Sequence, residues 1–191
     1  MSRPGLLLVL CVSLLAACGE EPDDPQARFA VKAPQGSTAA DFPRAGMSLE
    51  HPRNWRLRRP DAPGVFELVS GEAVVAGWAY PREEPLPETD DELEAAKDRL
   101  VEAIEERDPE YRVRSAVVRE VAGVPAIDVR GDQVLSRREL RTRSIHAFTG
   151  GVEYVIEALA PPADFGLVEQ QVLSPLLDSL ELEGEVAEDA G

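Results

Sequence analysis

Between residues 111 and 160 the chain has room for strands and tight turns and for little else. Residues 111–121, 126–130, 135–148 and 152–160 alternate apolar and polar side chains and are rich in valine, isoleucine and aromatic residues, the pattern of half-buried strands. The gaps between them are too short for the crossover that parallel neighbours need, so long antiparallel hairpins are expected. Thr149-Gly150-Gly151 reads as a three-residue loop. That loop sets Ile145 beside Val155, Ser144 beside Ile156 and Arg143 beside Glu157, an opposite-charge match that supports the register.

Upstream, Met47-Ser48-Leu49-Glu50-His51 alternates and ends at Pro52. Residues 65–69 and 73–80 form a second hairpin around Ser70-Gly71-Glu72. One helix is clear. Thr89 and Glu92 make a capping box, Asp90 and Asp91 put negative charge on the first turn, and Leu93, Ala96, Leu100 and Ile104 share a face. Asp108-Pro109 stops it. A closing helix over residues 164–180 carries Phe165, Val168, Val172, Leu176 and Leu180 on its buried face, and Pro175 is expected to kink or split it. Strands, a helix, more strands, then a helix make an α+β order rather than βαβ repetition.

The N-terminus carries Arg3, then an apolar run from Leu6 to Leu15, then two alanines before Cys18. That is an export signal, and the run is shorter than the roughly 20 residues a spanning helix needs. Leu15-Ala16-Ala17-Cys18 resembles the lipobox of bacterial lipoproteins. The resemblance implies that residues 1–17 are removed and that Cys18 is acylated, holding the protein on the extracytoplasmic face of the cell membrane. Cys11 leaves with the signal, so no disulfide is available to the fold. Residues 18–45 read as an acidic, proline-rich tether, with a short strand expected around Phe29 and Val31. Residues 46–182 read as the folded domain and residues 183–191 as a disordered acidic tail. The net charge of −16 argues against nucleic acid as a partner and against electrostatic binding to anionic lipid.

Pro52-Arg53-Asn54-Trp55 after a short strand resembles the N-terminal signature of PsbP-like domains. Val121-Ala122-Gly123-Val124-Pro125-Ala126, Gly151-Val152-Glu153-Tyr154-Val155-Ile156 and Leu177-Asp178-Ser179-Leu180 are similar to further motifs of that family in the same order. The resemblance covers residues 46–182 and implies an antiparallel sheet layered between helices, an α/β/α sandwich. The family includes a photosystem II extrinsic subunit, nuclear-transport accessory proteins and bacterial envelope lipoproteins of the LpqN type. Its members mostly bind partners, and it supplies no catalytic residues to carry over.

The chemistry legible in the residues is sparse. His51 and His146 are too far apart to suggest a metal site by spacing, no cofactor motif is present, and no glycine-flanked serine suggests a nucleophile elbow. Arg137, Arg141 and Arg143 fall on one face of a strand, and Arg56 and Arg58 belong to a second basic cluster. These arginines are either ion-paired with Glu153, Glu157 and helix carboxylates, or a binding face for an anionic group or acidic partner. Trp55 and Trp78 are read as packing residues or ligand contacts. The expected function is a lipid-anchored binding module of the envelope without catalysis, its partner an envelope protein or small ligand. The alternatives are a carrier of a small apolar or lipidic ligand and an envelope hydrolase.

Overall fold

The computed structural model describes residues 29–184. Cys18, the export signal and the tail after residue 184 lie outside the described residues. A three-stranded sheet contains β1 (Thr38–Phe42), β2 (Met47–His51) and β10 (Glu181–Leu182), in the order β1-β2-β10. A seven-stranded sheet contains β3 (Arg56–Arg58), β4 (Gly64–Ser70), β5 (Ala73–Pro81), β6 (Arg112–Val121), β7 (Val124–Leu135), β8 (Arg138–Thr149) and β9 (Val152–Ala160). Its order is β3-β4-β5-β9-β8-β7-β6, with every neighbouring pair antiparallel.

Helix α1 (Asp90–Arg107) follows the capping logic of its sequence. The Glu92 N–H donates to Thr89 Oγ1 at 3.3 Å, and the Thr89 N–H donates to Glu92 Oε2 at 3.0 Å. The closing helix consists of α2 (Phe165–Val168), a π-helical turn (Glu169–Leu173) and α3 (Ser174–Asp178). Its expected buried face is buried. The helix is segmented beside Pro175, as expected: the π turn ends at Leu173 and Pro175 falls in the first turn of α3, where its missing N–H costs least.

Both faces of the large sheet are covered, unevenly. α1 lies over the β6–β7 end, where Ile104, Tyr111, Ile127 and Val129 form a small core. The opposite face meets the closing helix and the three-stranded sheet in the main core, which includes Tyr154, Ile156, Leu173 and Leu176. The second cover is therefore helix plus sheet, not the helix alone that a simple α/β/α sandwich implies.

Three expectations need correction. The β8–β9 loop has two residues, Gly150 and Gly151, both left-handed at φ +56° and +77°, so Ile145 pairs with Ile156, Ser144 with Glu157 and Arg143 with Ala158. A one-residue slip exchanges the faces of a strand. Here it turns Glu157 toward the α1 side and leaves Arg143 facing the closing helix. The folded part also begins earlier than residue 46: β1 lies inside the stretch read as tether, pairs with β2, and buries Ala40 and Phe42. No strand forms around Phe29 and Val31. That segment instead runs along the β4–β5 turn, where the Glu72 N–H donates to the Phe29 carbonyl and the Trp55 indole N–H to the Lys32 carbonyl.

Candidate binding groove

Strand alternation puts Trp78 and Tyr80 of β5, Glu153 and Glu157 of β9, and Ser144 and His146 of β8 on the face turned toward α1. α1 covers only the far end of that face. Between its C-terminal half and strands β5, β9 and β8 lies a groove of about 520 Å³, closed along the helix by Leu100, Ala103, Ile104 and Arg107 and at one end by Tyr111. The Tyr111 hydroxyl stands 2.6 Å from Thr142 Oγ1, and burial pushes its phenol up despite that contact.

Two carboxylates in the groove have opposite environments. Burial alone would raise the pKa of Glu153, but His146 and Arg82 together outweigh it and hold Glu153 below the usual carboxylate range. His146 Nδ1 lies 2.7 Å from Glu153 Oε1, and Arg82 Nε donates to Glu153 Oε2 at 2.8 Å. Glu157, half-buried across the strand from Ser144, makes no hydrogen bond or ion pair among the described residues. Burial pushes its carboxyl up, only partly countered by the charges of His146 and Arg107.

The Glu157 shift has a consequence for stability. Its folded pKa lies above its unfolded one, so the folded state binds the proton more tightly. Below the unfolded value both states are protonated and the group contributes nothing. As pH rises to the folded value, the buried charge progressively destabilises the protein. Glu157→Gln is therefore expected to melt higher than wild type at neutral pH and to converge with it in acid, as followed by thermal denaturation across pH. A variant that melts lower than wild type at neutral pH would contradict this account.

The arginines expected to form one face are dispersed. Arg137 is not on a strand: it occupies the β7–β8 turn with φ +67° and is exposed. Arg143 is 5% exposed and fully paired. Its Nε and Nη2 donate to Asp128 at 3.1 and 2.7 Å, and its Nη1 to Glu169 Oε1 at 3.0 Å. Arg119 also reaches Asp128, and Arg130 also reaches Glu169. Arg141 lies 3.6 Å from Asp132, with its guanidinium 6.0 Å from the centre of the Phe165 ring. Arg56 and Arg58 project from the edge strand β3, and Arg58 pairs with Glu67 at 3.1 Å. Four strand spacings separate β3 from β8, about 19 Å. The ion-paired reading thus holds for Arg143, Arg141 and Arg58; Arg143 meets the helix carboxylate Glu169 as well as Asp128, and none of the three pairs with Glu153 or Glu157.

Trp55 is buried, while Trp78 lines the groove. His51 is buried beside the Pro52 carbonyl, away from the groove that holds His146. Among the described residues, no three His, Cys, Asp or Glu side chains group to hold a metal ion. Sequence reasoning missed Glu157 and Tyr80 as groove residues. The signal was present in the period-two pattern, but only the correct β8–β9 register assigns Glu157 to this face.

No family model and no curated protein matches the chain. Solved structures do. The solution structure of cyanobacterial PsbP (CyanoP) from Synechocystis sp. PCC 6803 superposes with a TM-score of 0.59, covering 86% of this chain and 98% of that one at 8% identity. LpqN of Mycobacterium tuberculosis, described as involved in cell envelope biogenesis, gives a TM-score of 0.54, covering 77% of this chain and 90% of that one at 12% identity. A Bacteroides thetaiotaomicron VPI-5482 protein gives a TM-score of 0.54, covering 77% of this chain and 49% of that one at 12% identity. The fold is PsbP-like, as the order of the sequence motifs implied. At these identities the likeness concerns the fold.

Proposed function

We propose that the chain is a non-catalytic binding module of the bacterial envelope, held on the extracytoplasmic face of a membrane by lipid on Cys18. The lipobox-like Leu15-Ala16-Ala17-Cys18 supports the anchor, and the PsbP-like fold is compatible with an envelope protein. The observation that carries the binding reading is the groove beneath α1. Trp78 and Tyr80 supply an aromatic wall, and Glu157 is an acceptor without a donor. A concave site with few placed polar groups is the usual form of a ligand pocket. The chemistry favours a small molecule or partner side chain that donates hydrogen bonds. It fits an apolar or lipidic cargo poorly, because Arg82, Arg107, His146, Glu153 and Glu157 all line the space.

Ser144 and His146 stand two residues apart in the groove, which is the one observation on the side of a hydrolase. Ser144 is 6% exposed, has no hydrogen bond to His146, and lies opposite Glu157 rather than near an evident pair of oxyanion donors.

The test is mass spectrometry of the full chain expressed with its own signal. Intact mass is expected to show cleavage before Cys18 and a diacyl or triacyl gain that Cys18→Ala abolishes. Native spectra after incubation with envelope extract are expected to retain a bound species that Trp78→Ala loses. An unacylated product removes the anchor from the proposal, and a bare protein mass for wild type removes the groove ligand.

A further inference from the structure

Phe29, Val134 and Leu135 are large apolar side chains exposed by 57%, 39% and 57%, and they lie at the sheet end that carries the β4–β5 and β7–β8 turns, Val134 and Leu135 on opposite faces of β7. Val134 and Leu135 finish β7 just before the turn Ser136-Arg137. Leu135 lies opposite Arg138, whose guanidinium pairs with Glu72 and stands 6.0 Å from the centre of the Phe29 ring. The Glu72 N–H donates to the Phe29 carbonyl at 3.1 Å, fixing the first described residue against the β4–β5 turn. The β7–β8 turn is itself unusual. Ser136 and Arg137 both hold positive φ, +53° and +67°, where glycine or asparagine is the usual choice. The chain thus keeps an arginine at the outermost point of the tip.

The position of this tip matters because the route to Cys18 leaves from it. Only residues 19–28 lie between Cys18 and Phe29. Eleven residue steps span at most about 40 Å fully extended, and about 18 Å as a flexible coil. With Cys18 in a bilayer, the end that carries Phe29 is held nearest to it at high effective concentration. The net charge of −16 opposes broad contact with anionic headgroups, so contact falls to a point where apolar side chains and a cation project.

We infer that the tip formed by Phe29, Val134, Leu135 and Arg137 docks on the bilayer surface, with the apolar side chains entering the interface and Arg137 meeting lipid phosphate. The inference rests on the anchoring at Cys18 proposed above. Docking fixes the orientation of the domain, so that the tether no longer lets it tumble freely.

The experiment separates this inference from the anchor on which it rests. The chain from Cys18 onward is coupled through that thiol to a maleimide lipid in phosphatidylglycerol–phosphatidylcholine vesicles, so attachment does not depend on acylation in the cell. Leu135→Trp and Val117→Trp are compared in vesicles with and without bromine on the acyl chains. Val117 is also exposed but lies on the edge strand β6, away from the tip. An interfacial side chain sits about 5–10 Å into the boundary, and the Leu135→Trp signal is expected to fall by about half there. Val117→Trp is expected to match wild type, in which Trp55 and Trp78 set the background. An unquenched Leu135→Trp, or equal quenching at both positions, overturns the docking and leaves the anchor standing. Lack of acyl mass on protein from cells overturns the anchor alone. Should Leu135→Trp melt differently from wild type, Val134→Trp replaces it with the same expected outcomes.

Discussion

Replacing Arg143 with alanine is expected to destabilise the fold by about 3–5 kcal/mol, the largest single-site effect expected at a charged side chain among the described residues. The reason is what the arginine leaves behind. Asp128 is 3% exposed and receives two of the guanidinium's donors, while Glu169 receives a third. Without Arg143, among the described residues the buried Asp128 keeps Arg119 at 3.2 Å as its ion-pair partner, and Glu169 keeps Arg130. For a domain of this size the loss corresponds to a fall of roughly 6–20 °C in melting temperature. Arg143→Met combined with Asp128→Leu is expected to recover most of it, because replacing a buried pair by apolar groups of similar volume is often neutral. Urea denaturation of the single and double variants separates the two effects. A single variant within about 1 kcal/mol of wild type would show that water or a moved side chain reaches Asp128.

The second expected effect concerns a glycine inside a strand. Gly131 sits in the middle of β7, where glycine is normally a poor choice. The Tyr111 ring edge and hydroxyl pack against it. A Cβ at residue 131 would stand 2.6 Å from the tyrosine hydroxyl oxygen, which the Thr142 side chain holds in place. Gly131→Ala is expected to cost about 1–3 kcal/mol as an overpacked site and to push Tyr111 away from the end of the groove. The companion Tyr111→Ala removes the clash, so the double variant is expected to lose less than the sum of the two singles. Additive losses in thermal melts would mean that the ring is free to move and does not close the groove.

The helix signals were the most legible part of the chain. Thr89 and Glu92 specify their own cap, and the apolar spacing from Leu93 to Ile104 selects the buried stripe. The strands were legible as segments but less so as pairs. Gly150-Gly151 permits either a two- or a three-residue loop. The Arg143–Glu157 charge match favoured the wrong one, because the true partners of Arg143, Asp128 and Glu169, come from a neighbouring strand and the closing helix. Non-local partners leave no mark in local spacing. The β7–β8 turn was hidden for another reason: Ser136 and Arg137 adopt a conformation whose usual markers are glycine and asparagine. β1 was hidden because its short alternation, Ala40 and Phe42, follows a stretch of tether-like composition and gains its stability from β2. The groove needed the β8–β9 register to be right before Glu157 could be assigned to it.

The small sheet has a bearing on how the protein is made. Its middle strand, β2, is flanked by β1 from the beginning of the described chain and by β10 from its end. Ser48 donates to Glu181 across 133 residues of sequence, and the Glu183 N–H reaches the Gly46 carbonyl. Such distant pairings are slow to form. A nascent chain emerging from its N-terminus holds β1 and β2 as a hairpin with one open edge until nearly everything else has been synthesised. The last few described residues then act as a latch. A protein cut short before Glu181 would carry that open edge permanently, exposed to any other strand in the same compartment.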